Sequence, residues 1–488
     1  MNTGSFVAGR WYHPESKRLT RNLNPADPSD VIAEFPSATA ADTQRAIEAA
    51  KDAFRGWRDT PGPERGRVIW RAAEIARRRA EEIAKTMTRE EGKILREARG
   101  EVTRGLAVLE YYAGAGFRIQ GRTMPAEARD TFTYTIRRPL GVVGLITPWN
   151  FPWAIPVWKS APALVAGNTV VLKPAELTPA TAILLGEIYE EAGVPAGVFN
   201  LVIGPGSEVG ATLVDSPDVR AISFTGSNAV GMALNEQAAR RGAKVTCEMG
   251  GKNAVVVLPD ANLEKAATAI SSGAFASTGQ RCTATSRVVA HPAIKGELLE
   301  RVGTLAAAMK LGPGLDETTD LGPAVSEQQL QTNLDYIKIA NEEGARLVAG
   351  GRQAEGLPGY FVEPTIFDNV EPQARIFREE VFGPVLAVSA ADSLEEALAF
   401  ANGVEYGLSA SIFTQDIDTA LRFVEEVEVG MVHINEATVG GEAQLPFGGS
   451  KATGVGEREM SEEGLNFFSE IKTVFANYGQ SGKPLSMR

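Results

Sequence analysis

The feature that most constrains the fold is an alternation, from Val142 to Glu248, of short apolar runs with stretches long enough to be helices. The apolar runs read V-V-G-L-I, T-V-V-L, V-F-N-L-V, A-I-S-F and K-V-T-C-E. Short apolar strands separated by helical segments are typical of βαβ units, in which a parallel sheet is buried on both faces. This interval therefore predicts an α/β fold with five parallel strands.

A second alternation of the same kind predicts a second α/β domain. It begins with A-V-V-V-L (254–258), continues through R-V-V-A-H (287–291) and A-S-I-F (410–413), and ends with G-M-V-H-I (430–434). A chain of 488 residues is also too long for one compact core, so length alone predicts two or three domains.

Two segments outside these alternations have a periodicity of their own. Residues 39–117 predict mostly helix, because apolar side chains recur between Arg67 and Met87 at spacings of three and four. Residues 131–137, T-F-T-Y-T-I-R, alternate apolar and polar side chains as a half-exposed strand does, and such a strand can add to a partner subunit's sheet. The small, polar tail, residues 479–488, is expected to be loosely held.

The composition argues against several classes of partner. A formal net charge of -12 makes nucleic acid a poor candidate, because an acidic surface repels phosphate backbones. Two cysteines make no disulfide framework, and the three histidines lack the spacing of metal sites. No secretory signal is apparent, and no apolar stretch approaches the roughly 20 residues of a membrane span. We expect a cytoplasmic protein without bound metal, nucleic acid or membrane.

Two glycine-rich turns follow predicted strands. G-P-G-S-E-V-G contains Gly206 and Gly210, but its spacing differs from the usual dinucleotide fingerprint, and a purely structural turn is an equal alternative. T-G-S-N-A-V-G contains Gly226 and Ser227 where a strand ends and a helix begins, so that backbone amides and the positive helix end meet at one point. The second turn predicts a pyrophosphate site.

A third strand end, in V-V-L-K-P-A-E, carries Lys173 and Glu176. Ligands of parallel sheets collect at such strand ends, where a carboxylate can accept hydrogen bonds from ribose hydroxyls and an ammonium group can donate to ribose oxygens. The alternative interpretation is a surface ion pair.

Cys282 is the candidate nucleophile. It lies in A-S-T-G-Q-R-C-T-A-T-S-R, where small residues leave room around the thiol and Arg281 can favour the reactive thiolate. The alternative is an inert buried cysteine. Cys247, within the strand K-V-T-C-E, is interpreted as structural.

Polar groups at three further turns suit catalysis or binding. Glu248, in C-E-M-G-G-K, ends a strand at an open turn and can act as a general base on water. Asn150, in T-P-W-N-F-P, is braced by two prolines and can hold an oxyanion, although bonding its own turn is the alternative. Glu380 and Phe382, in R-E-E-V-F-G-P-V, can clamp a ribose and a nicotinamide ring.

Taken in order, these segments resemble the aldehyde dehydrogenase superfamily over essentially the whole chain. The shared motifs run from N-P-A-D at Asn24 through T-P-W-N-F-P, K-P-A-E, F-T-G-S, E-M-G-G-K, G-Q-R-C and E-E-V-F-G-P to P-F-G-G-S-K at Pro446. The separation of Glu248 from Cys282 (282 − 248 = 34 positions) also matches. The resemblance implies that Cys282 attacks an aldehyde, that Asn150 and the Cys282 amide hold the oxyanion, and that Glu248 activates water to hydrolyse the thioester.

The resemblance also implies an architecture and a cofactor. The implied parts are a Rossmann-like cofactor domain (1–117 and 140–251), an α/β catalytic domain (252–449) and a β-hairpin oligomerisation element (118–139 and 467–488) in a homodimer or homotetramer. The cofactor is NAD or NADP, and the residues implied to bind it are Ile146, Thr147, Pro148, Trp149, Lys173, Glu176, Gly206, Gly210, Phe224, Thr225, Gly226, Ser227, Val230, Glu380 and Phe382.

Cofactor preference and proton transfer stay open at this point. Glu176 should bond a free 2′-hydroxyl and repel a 2′-phosphate, which favours NAD, but Lys173 can pair with that phosphate if Glu176 turns away. The family's usual S-G-x-G-R-E is T-G-V-G-E-R-E here, with Glu459 displaced by one position and Glu457 added. Which of these two glutamates relays protons, if either does, is undecided.

The segment A-T-V-G-G-E-A-Q-L-P-F-G-G-S-K-A-T-G is most similar to the branch that acts on α-ketoglutaric semialdehyde (2,5-dioxopentanoate). Such a substrate needs a cationic or amide-rich pocket, for which Arg281 is a candidate. Succinic semialdehyde and other aliphatic or aromatic aldehydes are alternative substrates. A cysteine acyl hydrolase is an alternative of a different class, but it requires a histidine partner, and neither His291 nor His433 lies in a recognisable motif.

Overall fold

The computed structural model describes residues 2–479, and they begin with two short hairpins and a run of helices. The hairpin strands are β1 (Ser5–Val7), β2 (Arg10–Tyr12), β3 (Leu19–Asn24) and β4 (Asp27–Pro36). The helices are α1 (Ala40–Asp59), α2 (Gly62–Arg78), α3 (Ala80–Glu91) and α4 (Leu95–Ala115), which confirms the helical prediction for residues 39–117. Strands β5 (Thr123–Met124) and β6 (Thr131–Pro139) follow and pair antiparallel.

The first large sheet contains the five strands predicted between residues 142 and 248. They are β7 (Val142–Ile146), β8 (Thr169–Lys173), β9 (Phe199–Leu201), β10 (Val219–Thr225) and β11 (Lys244–Glu248). The intervening helices are α5 (Ala154–Ala166), α6 (Pro179–Glu191), α7 (Ala211–Asp215) and α8 (Asn228–Ala239).

The strand order of this sheet creates a crevice. The order is β2-β1-β9-β8-β7-β10-β11, and the five strands from β9 to β11 are parallel. From β7 the chain runs outward to β8 and β9, and it then returns to the other side of β7 with β10 and β11. Ligands of open parallel sheets bind at such a reversal, outside the carboxyl ends of the strands.

The second large sheet follows directly. Its strands and the short strand beside it are β12 (Asn253–Val257), β13 (Thr285–Ala290), β14 (Arg346–Ala349), β15 (Thr365–Asp368), β16 (Val385–Ala390), β17 (Tyr406–Gly407), β18 (Ser409–Phe413) and β19 (Met431–Ile434). The helices here are α9 (Leu263–Phe275), α10 (Pro292–Ala307), α11 (Glu327–Glu342), α12 (Arg375–Arg378), α13 (Leu394–Asn402) and α14 (Ile417–Glu426).

The order in this sheet is β14-β15-β16-β13-β12-β18-β19, with every neighbouring pair parallel except β14 and β15. The four predicted strands, β12, β13, β18 and β19, are confirmed. The sequence analysis missed β14, β15 and β16. Strand β15 has only four residues, all buried, and periodicity cannot distinguish so short an apolar run from part of a helix.

The last described segment returns to the first sheet. It contains β20 (Ser450–Lys451), β21 (Gly454–Val455), α15 (Ser461–Phe467) and β22 (Ser469–Asn477). Strand β21 pairs antiparallel with β11, so that Gly454 lies opposite Glu248. The predicted domains leave residues 450–466 unassigned. In the structure, β20 pairs with β17, and β21 pairs with β11 of the first sheet. The domain boundaries themselves stay predictions.

A small separate sheet has the order β22-β6-β5. Strand β6 covers the predicted strand 131–137, and it pairs with β22 over nine positions, from Thr131–Asn477 to Pro139–Ser469. Of the tail predicted to be loosely held, only Gly479 lies within the described residues. No helix within residues 2–479 is long and apolar enough to cross a membrane.

Candidate active site

The loop that carries Cys282 is coiled by consecutive left-handed residues. Ser277 and Thr278 have φ values of 52° and 57°, and Gly279 follows with φ 66°. A Cβ on Gly279 would lie 2.2 Å from the Gly383 carbonyl oxygen, so only glycine fits there. The Asn253 side-chain amide, at the start of β12, donates to the Cys282 carbonyl at 2.8 Å. This hydrogen bond ties the loop that carries Cys282 to the start of strand β12.

Cys282 lies on the wall of a cavity of about 290 Å³ at the meeting of the two sheets. Apolar side chains form much of the remaining wall, namely those of Phe151, Ile155, Trp158, Val439 and Phe447. Arg104 and Arg281 also line the cavity. The thiol therefore faces a space that can receive a small organic molecule.

The surroundings of the Cys282 thiol oppose its ionisation. Burial, together with the Glu380 and Glu248 carboxylates, raises the pKa of this thiol to about 12, while backbone N–H groups act in the opposite direction. The groups with the largest effects do not include Arg281, which the sequence analysis expects to favour the thiolate. Its guanidinium instead donates to the Ser277 hydroxyl at 2.9 Å and lies 3.5 Å from the Glu97 carboxylate.

Asn150 follows a strand of the first sheet and contacts the loop that carries Cys282. It follows β7, is 4% exposed, and donates through its side-chain amide to the Gln280 carbonyl at 3.1 Å. Gln280 precedes Cys282 by two positions, so the structure brings the Asn150 amide to the loop that carries the thiol. The alternative, that Asn150 bonds only its own turn, is wrong.

Glu248 ends β11, as its sequence context predicts, and is buried. Its carboxylate accepts a hydrogen bond from the Gly449 amide at 3.2 Å. A Cβ on Gly448 would lie 2.2 Å from this carboxylate, so the close approach requires glycine. Burial and the nearby Glu459 carboxylate raise the pKa of Glu248 well above its usual value, against the opposing charges of Arg458 and Lys159.

The two glutamates of T-G-V-G-E-R-E have different surroundings. Glu459 is buried and accepts hydrogen bonds from the Trp158 indole at 2.8 Å, the Ser223 hydroxyl at 2.9 Å and the Lys159 ammonium group. Glu457 is partly exposed and pairs with Lys244 at 3.1 Å. Glu459, although displaced in sequence, is therefore the buried one of the two glutamates, and its charge acts on Glu248.

The predicted cofactor residues gather at the crevice of the first sheet. Ile146 to Trp149 follow β7, Lys173 and Glu176 follow β8, and Phe224 to Ser227 follow β10, leading into α8. Buried hydroxyls of Thr147 and Thr225 have no hydrogen-bond partner among the residues that the structure describes. Such unsatisfied groups suit a bound polar ligand.

The two glycine turns differ in what surrounds them. A Cβ on Gly206 would meet no atom within 4 Å, and one on Gly210 would only approach Ile146 and Lys173, at 3.9 Å and 4.0 Å. This turn therefore leaves open space above the strand ends. In the other turn, Gly226 packs against the Phe224 ring, which a Cβ would approach to 2.5 Å, and Val230 on α8 is 53% exposed.

Lys173 and Glu176 do not form the surface ion pair that is the alternative interpretation. Lys173 is buried, donates to the Pro174 carbonyl at 2.9 Å, and has its pKa lowered by burial to about 8. Glu176 is directed instead toward Thr20 and Arg18, at 3.5 Å and 3.8 Å. The sequence analysis did not identify Arg18, which comes from the N-terminal hairpins.

Glu380 and Phe382 approach the crevice from the second unit. Glu380 accepts a hydrogen bond from the Gly251 amide at 2.9 Å, and burial raises its pKa to about 7. Phe382, at φ 58°, places its ring edge-to-face with Trp149, with ring centroids 5.3 Å apart. Glu380 and Phe382 therefore add candidate cofactor-binding groups, from the segment before β16, to those at the strand ends of the first sheet.

Arg104, Glu101 and Lys93 belong to the site and were missed by the sequence analysis. Glu97, Glu101 and Arg104 are spaced by four and three residues, which places them on one face of α4. That spacing of charged residues in a helix was the available signal. Among residues 2–479, no group of histidine, cysteine and acidic side chains is arranged to hold a metal ion.

Comparisons with known proteins identify the family and agree with the fold. The chain matches the aldehyde dehydrogenase family over residues 11–474. It is 48% identical to an α-ketoglutaric semialdehyde dehydrogenase of Bacillus subtilis (strain 168), over 96% of this chain and 97% of the relative. Two similar crystal structures are an NADP-dependent enzyme of E. coli (36% identity, TM-score 0.95, 98% of each chain) and a betaine aldehyde dehydrogenase of Staphylococcus aureus in complex with NAD+ (33% identity, TM-score 0.95, 98% of this chain and 95% of that chain).

Proposed function

The chain belongs to the aldehyde dehydrogenase family, and on that premise we propose that it oxidises a carboxylate-bearing semialdehyde, such as α-ketoglutaric semialdehyde, to the acid through a thioester on Cys282. The enzyme uses NAD or NADP. The observation that carries the substrate class is the Arg104 guanidinium, which lines the same cavity as the thiol and forms no salt bridge within residues 2–479.

Bond formation at Cys282 is the first chemical step. The thiol loses its proton to solvent, its sulfur adds to the aldehyde carbon, and the electron pair of the carbonyl π bond moves to the oxygen, which becomes an oxyanion. The Asn150 side-chain amide and the Cys282 backbone N–H donate to that oxyanion. The proposal is supported by the position of Asn150, whose amide already lies 3.1 Å from a carbonyl of the cysteine loop.

The crevice of the first sheet would hold the dinucleotide. The α8 N-terminus and the Gly206–Gly210 turn suit its phosphates, Lys173 and Glu176 suit one ribose, and Glu380 suits the other. When bound, the dinucleotide supplies the oxidant by accepting a hydride. Phe382 and Trp149 close this end of the crevice against water.

Hydrolysis of the thioester falls to Glu248. In its carboxylate form it removes a proton from a water molecule, whose oxygen attacks the thioester carbon while the carbon–sulfur bond breaks and the thiolate leaves. The Gly449 amide fixes the direction of the Glu248 carboxylate. We assign the next proton acceptor to Glu459, the buried carboxylate whose charge acts on Glu248.

The substrate carboxylate is assigned to Arg104. Burial and the neighbouring Arg281 lower the pKa of Arg104, yet an arginine stays charged at neutral pH. Within residues 2–479 its guanidinium has neither an ion-pair partner nor a hydrogen-bond acceptor, whereas Arg281 contacts Glu97 and Ser277. A half-buried guanidinium without an ion-pair partner is stabilised when an anion neutralises it. The substrate's own carboxylate provides that anion.

The experiment compares two five-carbon aldehydes, α-ketoglutaric semialdehyde and uncharged pentanal, in Arg104→Gln. We expect kcat/KM for the semialdehyde to fall by about 100-fold, because a desolvated charge pair is lost, while pentanal is little affected. Arg96→Gln, on the same helix but exposed, is the matched control. An equal loss for both aldehydes would favour the second candidate, a dehydrogenase of broad aldehyde range, which the apolar wall of the cavity would also suit.

Assembly and location complete the proposal. We propose a homodimer or homotetramer in the cytoplasm. Strand β19 is an edge of the second sheet, and β22 is an edge of the three-stranded sheet. Ile471 and Phe475 on β22 are exposed, and strand edges with exposed apolar side chains favour pairing with another subunit. Light scattering in solution tests this, and a monomer would contradict it.

A further inference from the structure

A fully buried ion pair lies beside the Asn150 turn, and Glu101, one of its members, also lines the cavity that borders Cys282. Lys93 donates to the Glu101 carboxylate at 2.6 Å, and both side chains are 1% exposed. Burial lowers the pKa of Lys93, but the Glu101 and Glu91 carboxylates outweigh it and raise this pKa overall. The ammonium group therefore stays charged. Buried pairs are often replaceable by apolar residues without loss of stability, so their contacts deserve a functional explanation.

Both members of the pair bind the turn that carries Asn150. The Lys93 ammonium group donates to the Asn150 backbone carbonyl at 2.7 Å. The free oxygen of Glu101 accepts from the Trp153 and Ala154 amides, each at 3.0 Å. One ion pair thus fixes the turn at its beginning and at the start of α5.

The face of α4 that carries Glu101 also binds the loop that carries Cys282. Glu97, one turn before Glu101 on α4, accepts from the Ser277 amide at 2.8 Å and from its hydroxyl at 3.2 Å. Ser277 begins the left-handed segment that leads to Cys282. Helix α4 is therefore a common support for the thiol and the amide, although these come from different units of the fold.

We infer that Lys93 and Glu101 are positioning residues that fix the Asn150 amide where the oxyanion forms. The inference rests on the proposed function, in which Asn150 stabilises that oxyanion. An amide donor is effective only at hydrogen-bond distance from the oxyanion, and a misplacement of about 1 Å can cost about 100-fold in rate. A purely structural pair would instead contribute to stability without a specific effect on acylation.

The first test is Lys93→Met, which keeps the length of the side chain and removes its donor. We expect the first-turnover rate of reduced dinucleotide formation, measured by stopped-flow absorbance, to fall between about 10-fold and 100-fold. The dissociation constant for the dinucleotide should not change. The matched control is Lys295→Met, which breaks a partly buried pair with Asp368 (2.8 Å) remote from the site, and it should leave the first-turnover rate unchanged.

The decisive test is a double-mutant cycle with Asn150→Ala. In the Asn150→Ala background, Lys93→Met should cause no further slowing, because the group that it positions is gone. Independent, multiplicative losses would overturn the inference, and so would an unchanged first-turnover rate in Lys93→Met. If Asn150→Ala itself has no effect on the first turnover, then the proposed oxyanion role fails instead, so the two failures are distinguishable.

The cycle is repeated with Glu101→Gln, so that the result does not depend on the folding of one variant. Glutamine keeps the size of the side chain and an acceptor oxygen for the two amides, but it removes the charge and the oxygen that accepts from Lys93. We expect a smaller first-turnover defect, again absent in the Asn150→Ala background. A defect of the same size in both backgrounds would contradict the positioning role.

Discussion

The Cys247 and Cys282 thiols have similarly raised pKa values but lie in different surroundings. Burial raises the pKa of both the Cys247 and the Cys282 thiol to about 12. Cys247 lies in the interior of the first sheet, in strand β11, and is 0% exposed, with its thiol directed to the Gly231 carbonyl at 3.6 Å. Cys282 lies in a coiled loop and borders a cavity.

The comparison teaches that the resting acidity of a thiol does not identify a nucleophile in this protein. What distinguishes Cys282 is access, a side-chain amide that reaches its loop, and a buried carboxylate at the end of β11. Cys247 precedes that carboxylate directly, but successive residues of a strand point to opposite faces of the sheet. Glu248 can therefore serve Cys282 and not its own neighbour.

The largest difference between the two cysteines is expected when each is replaced by alanine. Cys282→Ala should abolish aldehyde oxidation, by at least about 10⁴-fold in kcat, while dinucleotide binding persists. Cys247→Ala should keep kcat and lower the free energy of unfolding by about 1 kcal/mol. Steady-state kinetics, dinucleotide titration and denaturant unfolding measure the three quantities. Substantial turnover in Cys282→Ala would disprove the thioester mechanism.

Glu248→Gln should have the next largest effect. The first turnover should stay fast, because acylation does not need the carboxylate, but steady-state turnover should slow by about 10²-fold to 10⁴-fold. Rapid-mixing measurements would then show a burst of reduced dinucleotide followed by a slow phase. If burst and steady state decline together, another group is the base for deacylation.

Alkylation of the two thiols as a function of pH sharpens the comparison without mutation. A thiol whose pKa is raised to about 12 has few thiolate ions at neutral pH, and that fraction grows about tenfold per pH unit. Cys282 alkylation by iodoacetamide should therefore accelerate about 100-fold from about pH 7 to pH 9, whereas sealed Cys247 stays unlabelled. Peptide mass spectrometry measures both. A flat profile for Cys282 would mean that its thiolate already exists at neutral pH.

The smallest expected effect lies away from both cysteines, at the far end of the crevice. Glu176→Gln should improve NADP use relative to NAD by about 10-fold, because a charge that repels the 2′-phosphate is removed. Arg18, 3.8 Å from Glu176, is then available to that phosphate. The ratio of kcat/KM for the two cofactors is the measurement, and an unchanged ratio would count against Glu176 as the ribose ligand.

Periodicity and turn chemistry are local, and they predicted the local features correctly. The five strands from β7 to β11, the helices of residues 39–117 and strand β6 all follow from apolar spacing. The ordered motifs identified the family before the fold was known, and they identified Cys282, Glu248 and Asn150 as candidates. The missed strands β14 and β15 have four residues each, and β16 is an almost wholly buried run, so apolar spacing carries little information there.

Only the tertiary structure decided which distant groups meet. Arg104 lies within α4, and Lys93 follows Gly92 in the link between α3 and α4. Their importance depends on packing against a turn more than 45 positions later, which the local pattern does not show. Because Glu457 is inserted in its motif, the sequence alone does not show which of the two glutamates is buried. In the structure, β21 pairs with β11, Glu459 is buried, and Glu457 pairs with Lys244. A sequence determines residue types and local periodicity, but burial and charge pairing arise from contacts between segments far apart in the chain.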